Sequence, residues 1–158
     1  MIASRGNEEG RDYVFFFDGS TGAQVGKIAL NEDDRIRWLR WAGNHKILLS
    51  AGAFDRYNRY YSQLFVMDLA KGSIFPIREN SAGLDQDDVI FIADDGSHML
   101  LTIRRRLGKY PGVFRYPLTE DGGRTEVLDP KHHIWDWRSD TSGVVRIGVG
   151  LLNEKRLL

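Results

Sequence analysis

A strand-like run, a glycine-bearing turn and a second strand recur three times in this chain. The first copy is Tyr13-Val14-Phe15-Phe16-Phe17-Asp18 with a turn from Gly19 to Gly22. The second is Leu64-Phe65-Val66-Met67-Asp68-Leu69 with Lys71-Gly72, and the third is Val113-Phe114-Arg115-Tyr116-Pro117-Leu118 with Gly122-Gly123. Hairpin patterns over residues 36–49, 89–101 and 134–147 fall between and after these copies. The offset between copies is roughly 45 to 52 residues, the range in which repeat proteins lay down one supersecondary unit at a time.

That period predicts four-stranded antiparallel blades of a β-propeller, in an all-β chain. With strands named a to d within a blade, the first blade holds only c (near 13–18) and d (near 24–30). The second is whole, with a near 36–41, b near 46–52, c near 63–69 and d near 73–77. The third is whole as well, with strands near 88–93, 98–105, 112–117 and 124–128. The fourth offers a near 134–138 and b near 143–150, and Arg156-Leu157-Leu158 opens its strand c. The expectation is a partial propeller with two whole blades and a partial blade at each end. It forms a single domain over residues 1–158, with 1–11 as a disordered or extended lead-in.

Val14-Phe15-Phe16-Phe17, Ile47-Leu48-Leu49 and Met99-Leu100-Leu101 are continuously apolar instead of alternating, which implies burial on both sheet faces. Turn residues interrupt such runs too soon for helices. The a–b and c–d connections are tight and built from Gly, Asn, Asp and Ser, which supply positive φ or cap the backbone. The b–c and d–a connections are longer and emerge on the opposite face. Two of them carry Arg and Tyr: Arg56, Tyr57, Arg59, Tyr60 and Tyr61 in one, and Arg104, Arg105, Arg106, Lys109 and Tyr110 in the other. These ten residues form the candidate contact face, where Arg and Tyr suit protein docking. Exposed charges pairing among themselves are the bland alternative.

Lys and Arg together number 22, as do Asp and Glu, so no bulk field draws the chain to nucleic acid or an anionic membrane. No apolar stretch reaches the length of a membrane span. The absence of Cys removes thiol chemistry and disulfides. The first nine residues hold no apolar signal segment, so the chain as it stands reads as cytoplasmic. A start further upstream would admit the periplasm.

Ile36-Arg37-Trp38-Leu39-Arg40-Trp41-Ala42-Gly43-Asn44, Gln86-Asp87-Asp88-Val89-Ile90-Phe91-Ile92-Ala93-Asp94-Asp95 and Ile134-Trp135-Asp136-Trp137-Arg138 carry a family likeness. With Gly143-Val144-Val145-Arg146-Ile147-Gly148-Val149-Gly150, they resemble the N-terminal propeller of bacterial prolyl-oligopeptidase-type serine peptidases. Within that family the likeness is to the dipeptidyl-peptidase and acylaminoacyl-peptidase-like members. The resemblance implies a propeller of about seven or eight blades preceding an α/β-hydrolase domain with Ser, Asp and His. This chain departs from that pattern in holding two whole blades and no hydrolase domain. The resemblance therefore implies a propeller piece that restricts access and orients peptides, without catalytic residues of its own. Its partners would be the missing blades and hydrolase domain, or other copies through self-association. A stand-alone interaction module is the alternative.

No Ser is flanked by Gly as Gly-x-Ser-x-Gly requires, and Asp18-Gly19-Ser20-Thr21-Gly22 reads as a hairpin turn. His132-His133 lacks supporting ligands and reads as a solvated loop without zinc. Asp85-Gln86-Asp87-Asp88 and Glu32-Asp33-Asp34 lack the Gly and distal Glu of a calcium loop and read as solvated d–a loops. No cofactor is expected. Trp38, Trp41, Trp135 and Trp137 all fall in strand a copies and are expected to pack between blades, Trp135 and Trp137 on one side.

Overall fold

In the computed structural model, residues 1–54, 56–77, 87–105, 109–152 and 155–157 are described, the last three and Leu152 for their backbone alone. They contain strands and turns and no helix. Four antiparallel sheets follow one another along the chain. The first holds β1 (Ile2–Glu8), β2 (Arg11–Phe17) and β3 (Gln24–Ala29). The second holds β4 (Arg35–Ala42), β5 (Lys46–Phe54), β6 (Tyr60–Asp68) and β7 (Ser73–Ile77). The third holds β8 (Val89–Ile92), β9 (His98–Ile103), β10 (Gly112–Pro117) and β11 (Thr125–Leu128). The fourth holds β12 (Ile134–Ser139), β13 (Val145–Leu152) and β14 (Lys155–Leu157). Every sheet is a simple meander, each strand pairing with its neighbour in sequence.

The lead-in expected over residues 1–11 is instead a strand and a turn. β1 pairs with β2 in unbroken register from Ile2 opposite Phe17 to Glu8 opposite Arg11. Glu9 and Gly10, at φ 52° and 84°, form the two-residue turn with both positions left-handed that suits the twist of a hairpin. Gly6 is needed opposite this ladder, since a Cβ there would lie 2.7 Å from the Phe15 ring. β2 therefore has a partner on each side. Tyr60 and Tyr61, expected in a long loop, lie in β6, where Phe54 and Tyr60 pair across the hairpin with rings 5.3 Å apart. Aromatic cross-strand pairs of this kind extend a ladder.

The sheets stack face to face with an apolar layer between each neighbouring pair. Val14 and Phe16 of the first sheet meet Ile47, Leu49 and Met67 of the second. On the other face of the second, Leu48, Leu64 and Val66 meet Met99, Leu101 and Phe114 of the third. Leu100 and Val113 of the third meet Trp137 of the fourth. Successive residues of a strand point to opposite faces, so Ile47-Leu48-Leu49 supplies two layers at once. That is why the run is continuously apolar. Each such side chain, fully buried, stabilises by about 1.5–3 kcal/mol.

Turns of neighbouring sheets also interlock. Gly43, in the β4–β5 turn, and Gly96, in the β8–β9 turn, stand at φ 64° and 68° and abut each other's segments. The buried Lys46 donates from Nζ to the Gly96 carbonyl at 3.1 Å.

One local device recurs in β4, β8 and β12. Each ladder slips near its start, between Ile36 and Trp38, Val89 and Phe91, and Ile134 and Asp136, and the last slips again between Arg138 and Ser139. Arg37, Ile90 and Trp135 are the extra residues of these β-bulges. A bulge breaks the alternation of faces and re-aims side chains. Trp135 and Trp137 both meet the segment around the start of β10, at Tyr110 and Pro111, but differ in burial. Trp137 is buried with Nε1 donating to the Pro111 carbonyl at 2.9 Å, while Trp135 is 44% exposed. Trp41 also lies outside the layers at 41% exposure, so only two of the four indoles pack inside. Val145 packs on the Trp137 layer, while Ile147 and Leu151 are exposed.

Candidate functional site

The ten residues of the expected contact face divide into separate local groupings. Arg56 and Arg59 both lie over the Tyr57 ring, 4.8 and 5.3 Å from its centroid. Tyr60 packs on Phe54 and receives the Arg37 guanidinium at 5.6 Å, while Tyr61 is half-buried in β6. Arg105 turns away to Glu126 at 2.6 Å and to the Phe114 ring at 4.5 Å. Lys109 is exposed, and Arg106 lies outside the described residues. Only Arg104 and Tyr110 converge, and they do so on Trp135. The Arg104 guanidinium stands 5.8 Å from that indole, and the Tyr110 ring meets it edge-on at 4.7 Å. Tyr110 also contacts His132 and His133, whose rings are 3.8 Å apart. Both His lie in the turn before β12, so the strand alternation that separates neighbouring side chains does not apply to them. No cluster of three metal-ligating side chains occurs among the described residues.

Trp135 opens onto a cleft of about 410 Å³ between the starts of β4, β8 and β12. Arg37, Arg40, Arg104 and Arg138 reach it together with Asp87 and Asp88. A slightly larger groove of about 440 Å³ lies beside β7 and the β10–β11 turn. Most of its lining residues are apolar, with Glu120 its single charged group. The cleft is the better site because charged groups of both signs and two indoles meet there.

Asp87 anchors one wall. It is 7% exposed, not solvated as a d–a loop residue was expected to be. Arg37 donates to both carboxylate oxygens at 2.8 and 2.9 Å, and Trp38 Nε1 donates at 3.1 Å. The Ser50 and Ser62 hydroxyls donate at 2.5 and 2.9 Å. A buried carboxylate persists only with such a donor set. All four partners belong to the second sheet, so Asp87 ties the third sheet to it.

Asp88 differs. It is exposed as a residue, yet its backbone carbonyl accepts from the Thr102 amide at 3.0 Å and its carboxylate, crowded by neighbouring atoms, accepts from Thr102 Oγ1. This desolvation raises its pKa above the ordinary 3.8; Thr102 opposes the shift, and the nearby Asp136 charge adds to it. A carboxyl with a raised folded pKa holds its proton more tightly folded than unfolded. Its contribution to stability is therefore greatest below the unfolded value and falls as pH rises through the raised one. Asp88→Asn is expected to flatten the decline in urea midpoint between about pH 3 and pH 7. An equally steep decline in the variant would remove Asp88 as its source.

The remaining charges are distributed unevenly. Arg138 pairs with Asp136 at 2.7 Å. Arg40 donates to the Val89 carbonyl at 3.0 Å and stacks 4.6 Å from the Trp38 ring. Arg104 has no carboxylate partner among the described residues. Glu32-Asp33-Asp34 is solvated, as expected. Sequence reasoning singled out Arg104 and Tyr110 of this cleft but passed over Arg37, Arg40, Asp87 and Arg138. The available signal was the placing of Arg and Asp beside Trp inside otherwise apolar strand a copies.

Comparison with known proteins gives no match to any family model, curated protein or solved structure.

Proposed function

We propose that this chain forms consecutive blades of a β-propeller from a prolyl-oligopeptidase-type serine peptidase, where it restricts access to a hydrolase domain and orients peptide chains. The observation that carries this reading is the succession of face-to-face antiparallel meanders with an equivalent bulge near the start of β4, β8 and β12. Propeller blades pack in this way, with their first strands lining a common axis. The cleft at those first strands is where a peptide passing along the axis would be met. The reading frame tests the proposal. Continuation past Leu158 into further strand-turn repeats and a Gly-x-Ser-x-Gly segment is the expected result, and a stop codon directly after Leu158 would overturn it.

A second reading, a self-associating interaction module, is favoured by the outward faces of the end sheets. Phe15 and Phe17 stack at 6.4 Å on one, and Ile147 and Leu151 are 46% and 50% exposed on the other. Apolar rows of this kind are normally covered by another surface. Light scattering on dilute protein separates a covered from an uncovered state: a monomer at all concentrations would eliminate this second reading.

A further inference from the structure

We propose that the cleft between β4, β8 and β12 binds a singly charged carboxylate, held by Arg104 and Arg40, with an attached aromatic or apolar group lying against Trp135. The proposal stands on the cleft itself and is independent of the peptidase reading.

Charge balance selects the ligand's charge. Arg37 is neutralised by Asp87 and Arg138 by Asp136. Among the described residues of the cleft, Arg40 and Arg104 are left facing Asp88, one positive charge in surplus. A monoanion restores neutrality there. A dianionic phosphate would add a negative charge beside Asp88, and a cation would meet uncompensated arginines.

Geometry selects the chemical group. Both arginines are pre-positioned by flat surfaces: Arg104 stands over Trp135 and Arg40 over Trp38. A guanidinium held against a ring can present paired N–H donors along its edge that match the two oxygens of a carboxylate; Arg40, with Nη1 on the Val89 carbonyl, contributes its remaining donors. Arg104 follows directly after β9, two residues beyond Thr102, and lines the same cleft as Thr102 and Asp88. Its guanidinium therefore reaches into the cleft, unlike that of Arg105, which turns to the opposite side. The exposed indole of Trp135, walled by Tyr110, supplies an apolar shelf beside the charge. The cleft's volume of about 410 Å³ falls in the range of small-ligand sites.

The test uses hippurate as the carboxylate probe, with hippuramide as its uncharged counterpart and phenyl phosphate as a dianion. Binding is read from tryptophan fluorescence and calorimetry at constant ionic strength. Saturable hippurate binding is expected, with hippuramide and phenyl phosphate each weaker by about 10-fold or more. Arg104→Ala is expected to weaken hippurate by about 10- to 100-fold, and Arg104→Lys by less, since the charge stays but the fork is lost. Arg104 is exposed, so the variants are expected to keep the parent's urea midpoint, which checks their folding. Equal binding of hippurate and hippuramide, tighter binding of phenyl phosphate, unchanged affinity in a folded Arg104→Ala protein, or no saturable hippurate binding would each overturn the proposal.

Discussion

Replacing Asp87 with Ala is expected to remove about 3–5 kcal/mol of folding stability, the range for breaking a buried charged cluster from one side. The cost arises in the groups left behind. Ser50 and Ser62 are fully buried, and their hydroxyls would lose the acceptor they share. The Ser50 hydroxyl, left buried without that acceptor, alone costs about 1–3 kcal/mol. Trp38 Nε1 loses its acceptor too, whereas Arg37, about one-third exposed, recovers water. Arg37→Ala is therefore expected to cost markedly less than Asp87→Ala, although the two share one ion pair. A total stability of about 5–15 kcal/mol leaves an Asp87→Ala protein marginal. Urea unfolding checks this; a loss under about 1 kcal/mol would mean the hydroxyls find other acceptors.

The second large effect is expected at Gly96. At φ 68° an L side chain is strained by about 1–2 kcal/mol. Here a Cβ would also lie 2.5 Å from the Ala42 carbonyl oxygen and 2.9 Å from its carbon. Backbone of a neighbouring sheet cannot rotate aside as a side chain can, so forcing it apart adds about 1–3 kcal/mol. Gly72 isolates the two contributions. It sits at φ 66° in the β6–β7 turn, with no atom within 4 Å of a built Cβ. Gly96→Ala is expected to cost at least twice what Gly72→Ala costs in denaturant melts. Equal losses would show that the two turns yield to one another.

Strand positions were readable because Gly, Asp and Asn punctuate runs of Val, Ile, Leu and Phe at nearly every hairpin. β1 escaped because Ser4, Arg5, Asn7 and Glu8 carry no strand pattern, and Glu9-Gly10 is not the usual Asn-Gly or Asp-Gly hairpin signal. The bulges were invisible, since one extra residue leaves composition unchanged and alters only the facing of the residues beyond it. Trp135, expected to pack between blades, lies instead 44% exposed at such a bulge. Asp87 was misread because acidic neighbours make it look solvated, while its partners stand 25 to 50 positions away in sequence. Burial of that kind is a property of sheet stacking, which no local window contains. Arg104 and Tyr110 were legible as a basic and aromatic pair, but their convergence depends on the Trp135 bulge.

The apolar layers have a consequence for how the molecule opens. Each sheet leans only on its neighbours, so stability is shared out by nearest-neighbour contacts along one direction. The second and third sheets are covered on both faces and joined by Asp87, Lys46 and the Gly43–Gly96 contact. Among the described residues, an apolar layer covers one face of the first sheet and one of the fourth. Backbone amides of β5 and β9 should consequently be the last to exchange with solvent, and those of β1 and β12 among the first. The cleft straddles this gradient, with Asp87 fastened to the slow interior and Trp135 carried by the quicker fourth sheet. A ligand bridging Arg40 and Trp135 would lock a fraying sheet to a firm one and slow exchange at the end of the stack.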